Sequence, residues 1–223
     1  MKKPVVDYRQ FRLNKLNDPQ FSHLKLLLGW VGYFCLYFLT EQLIPRENCV
    51  PVHWFLDDLV PFCEWFIIPY VFWYALIVFS LGYFALYNVD SFKKLSVYII
   101  ITQVVAMAVY IIFPNRQDLR PEVFPRDNFL TDIIGFLYAF DTSTNVCPSL
   151  HVGYSLGIAS VWLKEKGVPV AGKVFVVVAV ILICLSTAFV KQHSTLDIVA
   201  AIPMCILAEI LTFHVIYKKK KSV

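Results

Sequence analysis

The sequence predicts an all-α, polytopic membrane protein: a bundle of six transmembrane helices with a long outer loop between spans three and four. Composition, the lengths of the apolar segments and the distribution of basic residues lead to this prediction. The chain has 223 residues, of which 58% are hydrophobic and 16% are charged, and its mean hydropathy is +0.63. A soluble domain has about 45–50% apolar and about 25% charged residues, so this apolar excess is too large for one soluble core.

Six segments come near the roughly 20 apolar residues that a helix needs to cross a bilayer. In chain order they cover 24–44, 66–88, 95–113, 149–163, 169–190 and 194–217. The fourth is short, and its first turn is polar. The first segment is longer than the core of a signal peptide and is followed by no small-residue cleavage site, so we expect it to remain in the mature protein.

The basic residues indicate the orientation. Of the 20 lysines and arginines, 15 fall in the leader, in the turns after spans two and four, and in the tail. The positive-inside rule assigns this side to the cytoplasm, so both termini are expected there, with the plasma membrane as the location. The net charge of +4 then reflects topology and attraction to anionic lipids at the cytoplasmic face, and not binding to nucleic acid.

The chain therefore divides into three parts. A basic leader at 1–23 either lies along the inner membrane surface as an amphipathic segment or is disordered. The six-span membrane domain at 24–217 carries the candidate catalytic residues described below. A basic cytoplasmic tail covers 218–223. Within span six, Glu209 is expected either to pair with a lysine at the inner side or to snorkel toward the membrane surface.

Three segments face outward: the 45–65 loop, the 114–148 connection and the 191–197 junction. A connection as long as 114–148 is usually functional, and an apolar run in it predicts a short helix within 127–140 beside the site. In the 45–65 loop, the adjacent acids Asp57 and Asp58 are expected to be solvated, with cation binding as the weaker alternative. Cys49 and Cys63 in the same loop are compatible with a disulfide and equally with two free thiols.

Two polar motifs stand at the outer ends of predicted spans: Pro148-Ser149-Leu150-His151 and His193-Ser194-Thr195-Leu196-Asp197. Spans four and five are antiparallel, so His151 and His193 are expected near each other at one membrane level. His193 and Asp197 are four residues apart, which places them on one helix face. The carboxylate can then bind one imidazole nitrogen and leave the other free to react.

The first motif also predicts an anion site. Pro148 suits a first helical turn, and the amides of Ser149, Leu150 and His151 would then point outward toward an anion. Four cations are expected around the histidines on the outer side: Lys191, Arg116, Arg120 and Arg126. The alternative is a pair of interfacial histidines with snorkelling basic residues, but the complete set favours a bound phosphate.

These motifs resemble the type-2 phosphatidic acid phosphatase superfamily of membrane lipid phosphatases and phosphotransferases, over about residues 95–205. The second signature of that family is usually Pro-Ser-Gly-His, and the 148–151 motif is a close variant. The third is Ser-Arg, five residues, His, three residues, Asp. Ser186, His193 and Asp197 match it, with Thr187 at the arginine position.

The first signature of the family is Lys, six residues, Arg-Pro. Arg120-Pro121 matches it, with Phe113 at the lysine position. Two of the three usual phosphate-binding cations are thus replaced, and Lys191 and Arg116 are the expected substitutes.

The resemblance implies a role for each matching residue. His193 would attack phosphorus and form a phosphohistidine, and Asp197 would orient it. His151 would protonate the leaving alcohol and then activate the incoming water or alcohol. Phosphoryl oxygens would be held by Arg120, Ser149 and the helix-start amides, including that of Leu150. The mechanism of the family needs no metal or other cofactor.

The first functional hypothesis is a lipid phosphatase that hydrolyses a phosphate monoester or pyrophosphate of a membrane lipid at the outer face. The second is a phosphodiester-directed lipid head-group phosphotransferase or lipase, similar to the sphingomyelin and inositol phosphorylceramide synthases. The missing cations favour the second, because a diester carries one negative charge instead of two. The remaining alternatives are a metal site of two histidines and one carboxylate and a non-catalytic scaffold.

Overall fold

A computed structural model describes residues 4–218, which are largely helical, with 70% helix and 2% strand. The α-helices are α1 (Leu28–Leu43), α2 (Ile67–Tyr87), α3 (Val89–Ile112), α4 (Phe129–Phe140), α5 (Leu150–Lys164), α6 (Val170–Phe189) and α7 (Thr195–Glu209). A π-helical segment, Ile210–Ile216, continues α7. Short 3₁₀ turns cover Tyr8–Gln10, Leu13–Lys15, Ser22–Leu27, Arg46–Asn48, Phe55–Asp57 and Glu64–Phe66.

Five helical segments are long and apolar enough to cross a membrane: Ser22–Leu43, Glu64–Tyr87, Val89–Ile112, Val170–Phe189 and Thr195–Ile216. They indicate a membrane-embedded helical protein. Helix α5 coincides with the predicted fourth span but has only 15 residues. Helix α4 matches the short helix expected in the long outer connection, and it is apolar over its 12 residues.

The bundle is apolar on its outside as well as in its core, and a few polar side chains are buried inside it. Large apolar side chains cover its outside, while Ser80, Thr102 and Gln103 are buried inside. Inside, Trp162 donates to the Ser80 hydroxyl at 3.0 Å, and Gln103 donates to the Tyr154 hydroxyl at 2.8 Å. Buried polar groups of this kind need such partners, and they fix which helix faces meet.

Polar caps explain where four of the helices begin. Asn88 accepts from the Ser91 amide at the start of α3, and Asn128 accepts from the Leu130 and Thr131 amides at the start of α4. Ser149 and Ser194 occupy the same position before α5 and α7. Such residues satisfy amide groups that the first helical turn leaves without partners.

Polar contacts join α5 to the end of α7, and the described part of the leader packs against the bundle. The Lys164 ammonium lies 2.6 Å from the Glu209 carboxylate, which is the pairing expected for that acid. From residue 4 onward the leader contains short 3₁₀ turns. It packs on α2, because the Val5 amide donates to the Leu86 carbonyl and the Tyr8 hydroxyl to the Ala85 carbonyl. Residues 219–223, most of the predicted basic tail, lie outside the described range.

At the opposite end of the bundle from the Lys164–Glu209 pair, β1 (Val50–Pro51) pairs in parallel with β2 (Asn115–Arg116). Asn115 is fully buried, and its side chain binds both ends of the long connection. It donates to the carbonyls of Phe113 and Cys147 and accepts from the amides of Val146 and Cys147. Within residues 4–218 all six cysteines are unbridged, so Cys49 and Cys63 are separate thiols in this structure.

Candidate active site

His193 lies in the turn between α6 and α7, and its position is fixed from two sides. Its amide donates to the Thr187 carbonyl at 3.0 Å, which ties it to the end of α6. Its Nδ1 lies 3.1 Å from Oδ2 of Asp197, which is fully buried in the first turn of α7. The same Oδ2 accepts from the Ser194 amide at 3.0 Å. This contact orients the imidazole and leaves Nε2 as the nitrogen available for reaction.

His151, in the first turn of α5, lies beside His193. The two ring centroids are 5.5 Å apart, and the ring planes are inclined by 67°. The His151 ring also contacts Trp73 and Tyr70 of α2, at centroid distances of 4.1 and 4.6 Å. The structure therefore brings together the two histidines and the carboxylate that the sequence singled out.

Several buried polar atoms around these rings have no protein partner among the described residues. They are Nε2 of His151, the Tyr70 hydroxyl, Nε1 of Trp73, Oδ1 of Asp197 and Nε of Arg120. Leaving such a group unpaired costs about 1–3 kcal/mol. Unpaired polar atoms that surround two histidines are typical of a site that binds a polar ligand or water.

The start of α5 differs in part from the predicted anion site. Ser149 is fully buried, and its amide donates to the Asp197 carbonyl at 3.2 Å. Its hydroxyl accepts from the Val152 amide at 3.5 Å. The Ser149 amide is therefore not free for a phosphate, and the residue caps α5 and joins it to α7. The amides of Leu150 and His151 belong to the first turn, which has no intrahelical acceptor for them.

Arg120 reaches the turn that carries His193. Its Nη atoms donate to Gln192 Oε1 and to the carbonyls of Tyr138, Asp141 and Thr142. Its guanidinium also lies 4.5 Å from the centroid of the Tyr138 ring. Burial lowers the pKa of Arg120 below its usual value. Nη1 makes one of these bonds and keeps a second N–H group, and the buried Nε has no protein partner among the described residues.

The two expected substitutes for the missing cations are engaged elsewhere. Arg116 pairs with Asp118 at 3.1 Å and donates to the carbonyls of Arg46 and Cys49, as part of the β1–β2 connection. The Lys191 ammonium donates to the backbone carbonyls of Asp57 and Val60. These bonds do not support the predicted phosphate contacts of Lys191 and Arg116, because both side chains donate to protein oxygens away from the histidines. Arg126 is also engaged, in an ion pair with Glu64 at 2.6 Å.

Asp57 is a site residue that sequence reasoning missed. The expectation of a solvated acid is wrong, since Asp57 is 4% exposed. Its carboxylate accepts from the Ser194 hydroxyl at 2.6 Å and from the Thr195 amide and hydroxyl at 2.6 and 2.7 Å. Burial alone would raise the pKa of Asp57, but these hydrogen bonds and one from the Trp54 amide lower it below its usual value. Asp58 is exposed and pairs with His53.

Asp141, at the end of α4, was also missed. Its carboxylate accepts from Gln192 Nε2 at 3.2 Å, next to His193. Burial raises the pKa of Asp141, against the opposing effects of His193 and Arg120. Neither acid has a local sequence signal, because each acts on a residue far away in the chain.

The residues that meet here are largely buried, since His193 is 8% exposed and Ser194 is fully buried. Two surface clefts lie elsewhere, one at the inner end near Lys94 and Lys164 and one beside α4. In residues 4–218, no group of three His, Cys, Asp or Glu side chains has the geometry to hold a metal ion. Comparison of the chain with models of protein families, with curated proteins and with solved structures gives no match.

Proposed function

We propose that this protein is a membrane enzyme that cleaves a lipid phosphoester through a phosphohistidine intermediate on His193. The proposal includes a six-span topology in which α5 is the short fourth span and both termini are cytoplasmic. The site then faces outward at the plasma membrane. The single observation that carries it is the pair of imidazoles 5.5 Å apart, one of them backed by a buried carboxylate. The resemblance of this sequence to the type-2 phosphatidic acid phosphatases rests on the same three residues, His151, His193 and Asp197.

The chemistry assigns one step to each group. Nε2 of His193 attacks phosphorus, and the bond from phosphorus to the lipid alcohol oxygen breaks while His151 donates a proton to that oxygen. In the second step, His151 takes a proton from a water molecule, whose oxygen attacks phosphorus and displaces Nε2 of His193. Asp197 stabilises the positive charge that His193 carries while the phosphoryl group is attached.

Hydrolysis of a lipid phosphate monoester or pyrophosphate is the reaction that the resemblance implies. A specific observation favours the second candidate, cleavage or transfer at a phosphodiester. Lys191 and Arg116 are bound to protein oxygens, and Arg120 already donates to four protein oxygens. Two carboxylates are also close to this site: Asp197 contacts His193, and Asp141 contacts the neighbouring Gln192. A site with so little positive charge suits a singly charged diester better than a doubly charged monoester.

A lipid panel tests the proposal and separates the two candidates. Purified protein in mixed micelles is supplied with phosphatidate, a polyprenyl diphosphate and common phosphodiester lipids, and inorganic phosphate and phospho-alcohol are both measured. We expect His193→Ala and His151→Ala each to abolish turnover with unchanged membrane insertion. His53→Ala is the matched control, because this outer histidine is exposed and contacts only Asp58 through its ring. Full activity in His193→Ala would refute the proposal.

A further inference from the structure

The residues on both sides of His193 bind the same outer loop. Two residues before it, the Lys191 ammonium donates to the carbonyls of Asp57 and Val60. One and two residues after it, Ser194 and Thr195 donate to the Asp57 carboxylate. We name these contacts the loop latch. The latch joins parts of the chain more than 130 residues apart, so its contacts are tertiary and not part of the local fold of the turn.

A chain of hydrogen bonds leads from Asp57 to the imidazole. The Ser194 hydroxyl donates to Asp57 and accepts from the Leu196 amide at 3.1 Å, which fixes the first turn of α7. Asp197 lies in that turn, and its carboxylate holds both the Ser194 amide and His193. The direction of the His193 ring therefore depends on the position of the first turn of α7, and Asp57 holds that turn.

The backbone before His193 also depends on the latch. Lys191 has a φ of 54°, in the left-handed region that is unfavourable for a residue with a Cβ atom. Such a conformation persists only where surrounding contacts hold it. The two carbonyls that bind the Lys191 ammonium supply such contacts. The same loop is also anchored to the end of α6, because the Cys63 amide donates to the Phe189 carbonyl at 3.0 Å.

We propose that Asp57 is a positioning residue for the reaction: it does not touch the substrate, and it acts by holding His193 in its reactive orientation through Ser194, Thr195 and the first turn of α7. This inference rests on the proposed role of His193 as the nucleophile. It adds that the outer loop between α1 and α2 is part of the catalytic apparatus. A misplacement of about 1 Å at a reacting group lowers the rate by roughly 100-fold, and this sets the scale of the expected effect.

The chain provides a matched control in the neighbouring carboxylate. Asp58 has the same charge and lies in the same loop, but it is exposed and pairs with His53 outside the latch. We compare Asp57→Ala, Asp57→Asn and Asp58→Ala as full-length protein, using the lipid that gives turnover in the panel. For Asp57→Ala we expect kcat to fall about 30- to 100-fold with KM within about twofold, whereas Asp58→Ala should match wild type. Asp57→Asn retains one acceptor oxygen and should lie between them.

A second measurement reports the orientation of His193 without reference to activity. In protein labelled with ¹⁵N-histidine, the contact with Asp197 should hold His193 in one tautomer, with the proton on Nδ1. His193→Ala assigns the signal. We expect Asp57→Ala to give exchange between tautomers and Asp58→Ala to leave the signal unchanged. If Asp57→Ala does not fold, Thr195→Val removes one hydroxyl donor from the latch and should produce a smaller change in the same direction.

The outcomes separate the two proposals. An active His193→Ala variant would refute the proposed function, and the role of Asp57 as a positioning residue would fail with it. A second outcome would overturn only the role of Asp57. In it, His193→Ala is inactive, but Asp57→Ala folds and keeps both the wild-type kcat and the wild-type histidine signal. A loss of activity in Asp57→Ala that only parallels the loss of folded protein, with normal kcat per folded molecule, would also overturn it.

Discussion

Replacing Asp197 by asparagine separates the charge of this residue from its hydrogen bonds. Both hydrogen bonds of the carboxylate, from His193 and from the Ser194 amide, reach the same atom, Oδ2. The other oxygen is buried and has no protein partner within the described chain. An asparagine that places its carbonyl oxygen at Oδ2 retains both contacts. The substitution therefore removes one negative charge and leaves the position of His193 in place.

The size of the effect follows from the geometry. Two unit charges 4 Å apart interact by about 4 kcal/mol at an effective dielectric constant near 20. The Nδ1–Oδ2 separation of 3.1 Å puts the His193 ring in this range. If the positive charge develops on His193 in the transition state, losing that interaction slows the chemical step by roughly 10³-fold. KM should change little, because in the proposed mechanism Asp197 acts through His193 and not on the substrate.

Single-turnover kinetics with an excess of enzyme measures this step directly. The rate of phosphohistidine formation should fall about 10³-fold in Asp197→Asn, while the melting temperature in detergent changes little. Asp58→Asn serves as the charge control at an exposed site. A folded Asp197→Asn variant that keeps more than about a tenth of the wild-type rate would refute the reasoning, since a tenfold change corresponds to only about 1.4 kcal/mol.

Three further predictions concern the latch and the helix packing. Lys191→Ala should lower the melting temperature and kcat while leaving KM within about twofold, because the ammonium binds loop carbonyls. A large rise in KM alone would instead indicate that Lys191 binds the phosphate of the substrate. The pKa of Asp57 lies below its usual value, so its stabilising contribution is present above about pH 4 and is lost as the pH falls through the folded-state pKa. Melting temperatures measured between pH 6 and pH 3 should fall less in Asp57→Asn than in wild type. Gly157→Ala should destabilise the fold by about 1–3 kcal/mol, because a Cβ atom there would lie 2.5 Å from the Tyr98 ring, whereas Gly32→Ala, which meets nothing within 4 Å, should melt as wild type does.

Hydropathy predicted the helices well, because burial in a bilayer requires long apolar segments whatever their partners are. Their ends were less predictable. Helix α3 begins at Val89, six residues before the predicted span, since Asn88 caps it and a polar first turn is stable there. Span six divides into α7 and the π-helical segment Ile210–Ile216, and apolar periodicity alone does not distinguish the two.

The histidine pair was predictable because antiparallel spans place their outer ends at one level, and the spacing of His193 and Asp197 is local. The partners of the charged side chains around this pair were not predictable from the sequence. Arg116, Lys191 and Asp57 each bind a partner at least 67 residues away. Sequence position indicates on which side of the membrane a charge lies. It does not indicate which oxygen atom the charge binds.

Asn115 closes the connection between α3 and α5 at its base. One buried amide binds the chain at Phe113 on one side and at Val146 and Cys147 on the other. The intervening stretch therefore leaves and rejoins the bundle at a single fixed point, close to the start of α5. The lengths of the segments on either side of α4 can therefore vary while His151 stays in register, as long as Asn115 and the contacts of Arg120 and Asp141 with Gln192 are retained.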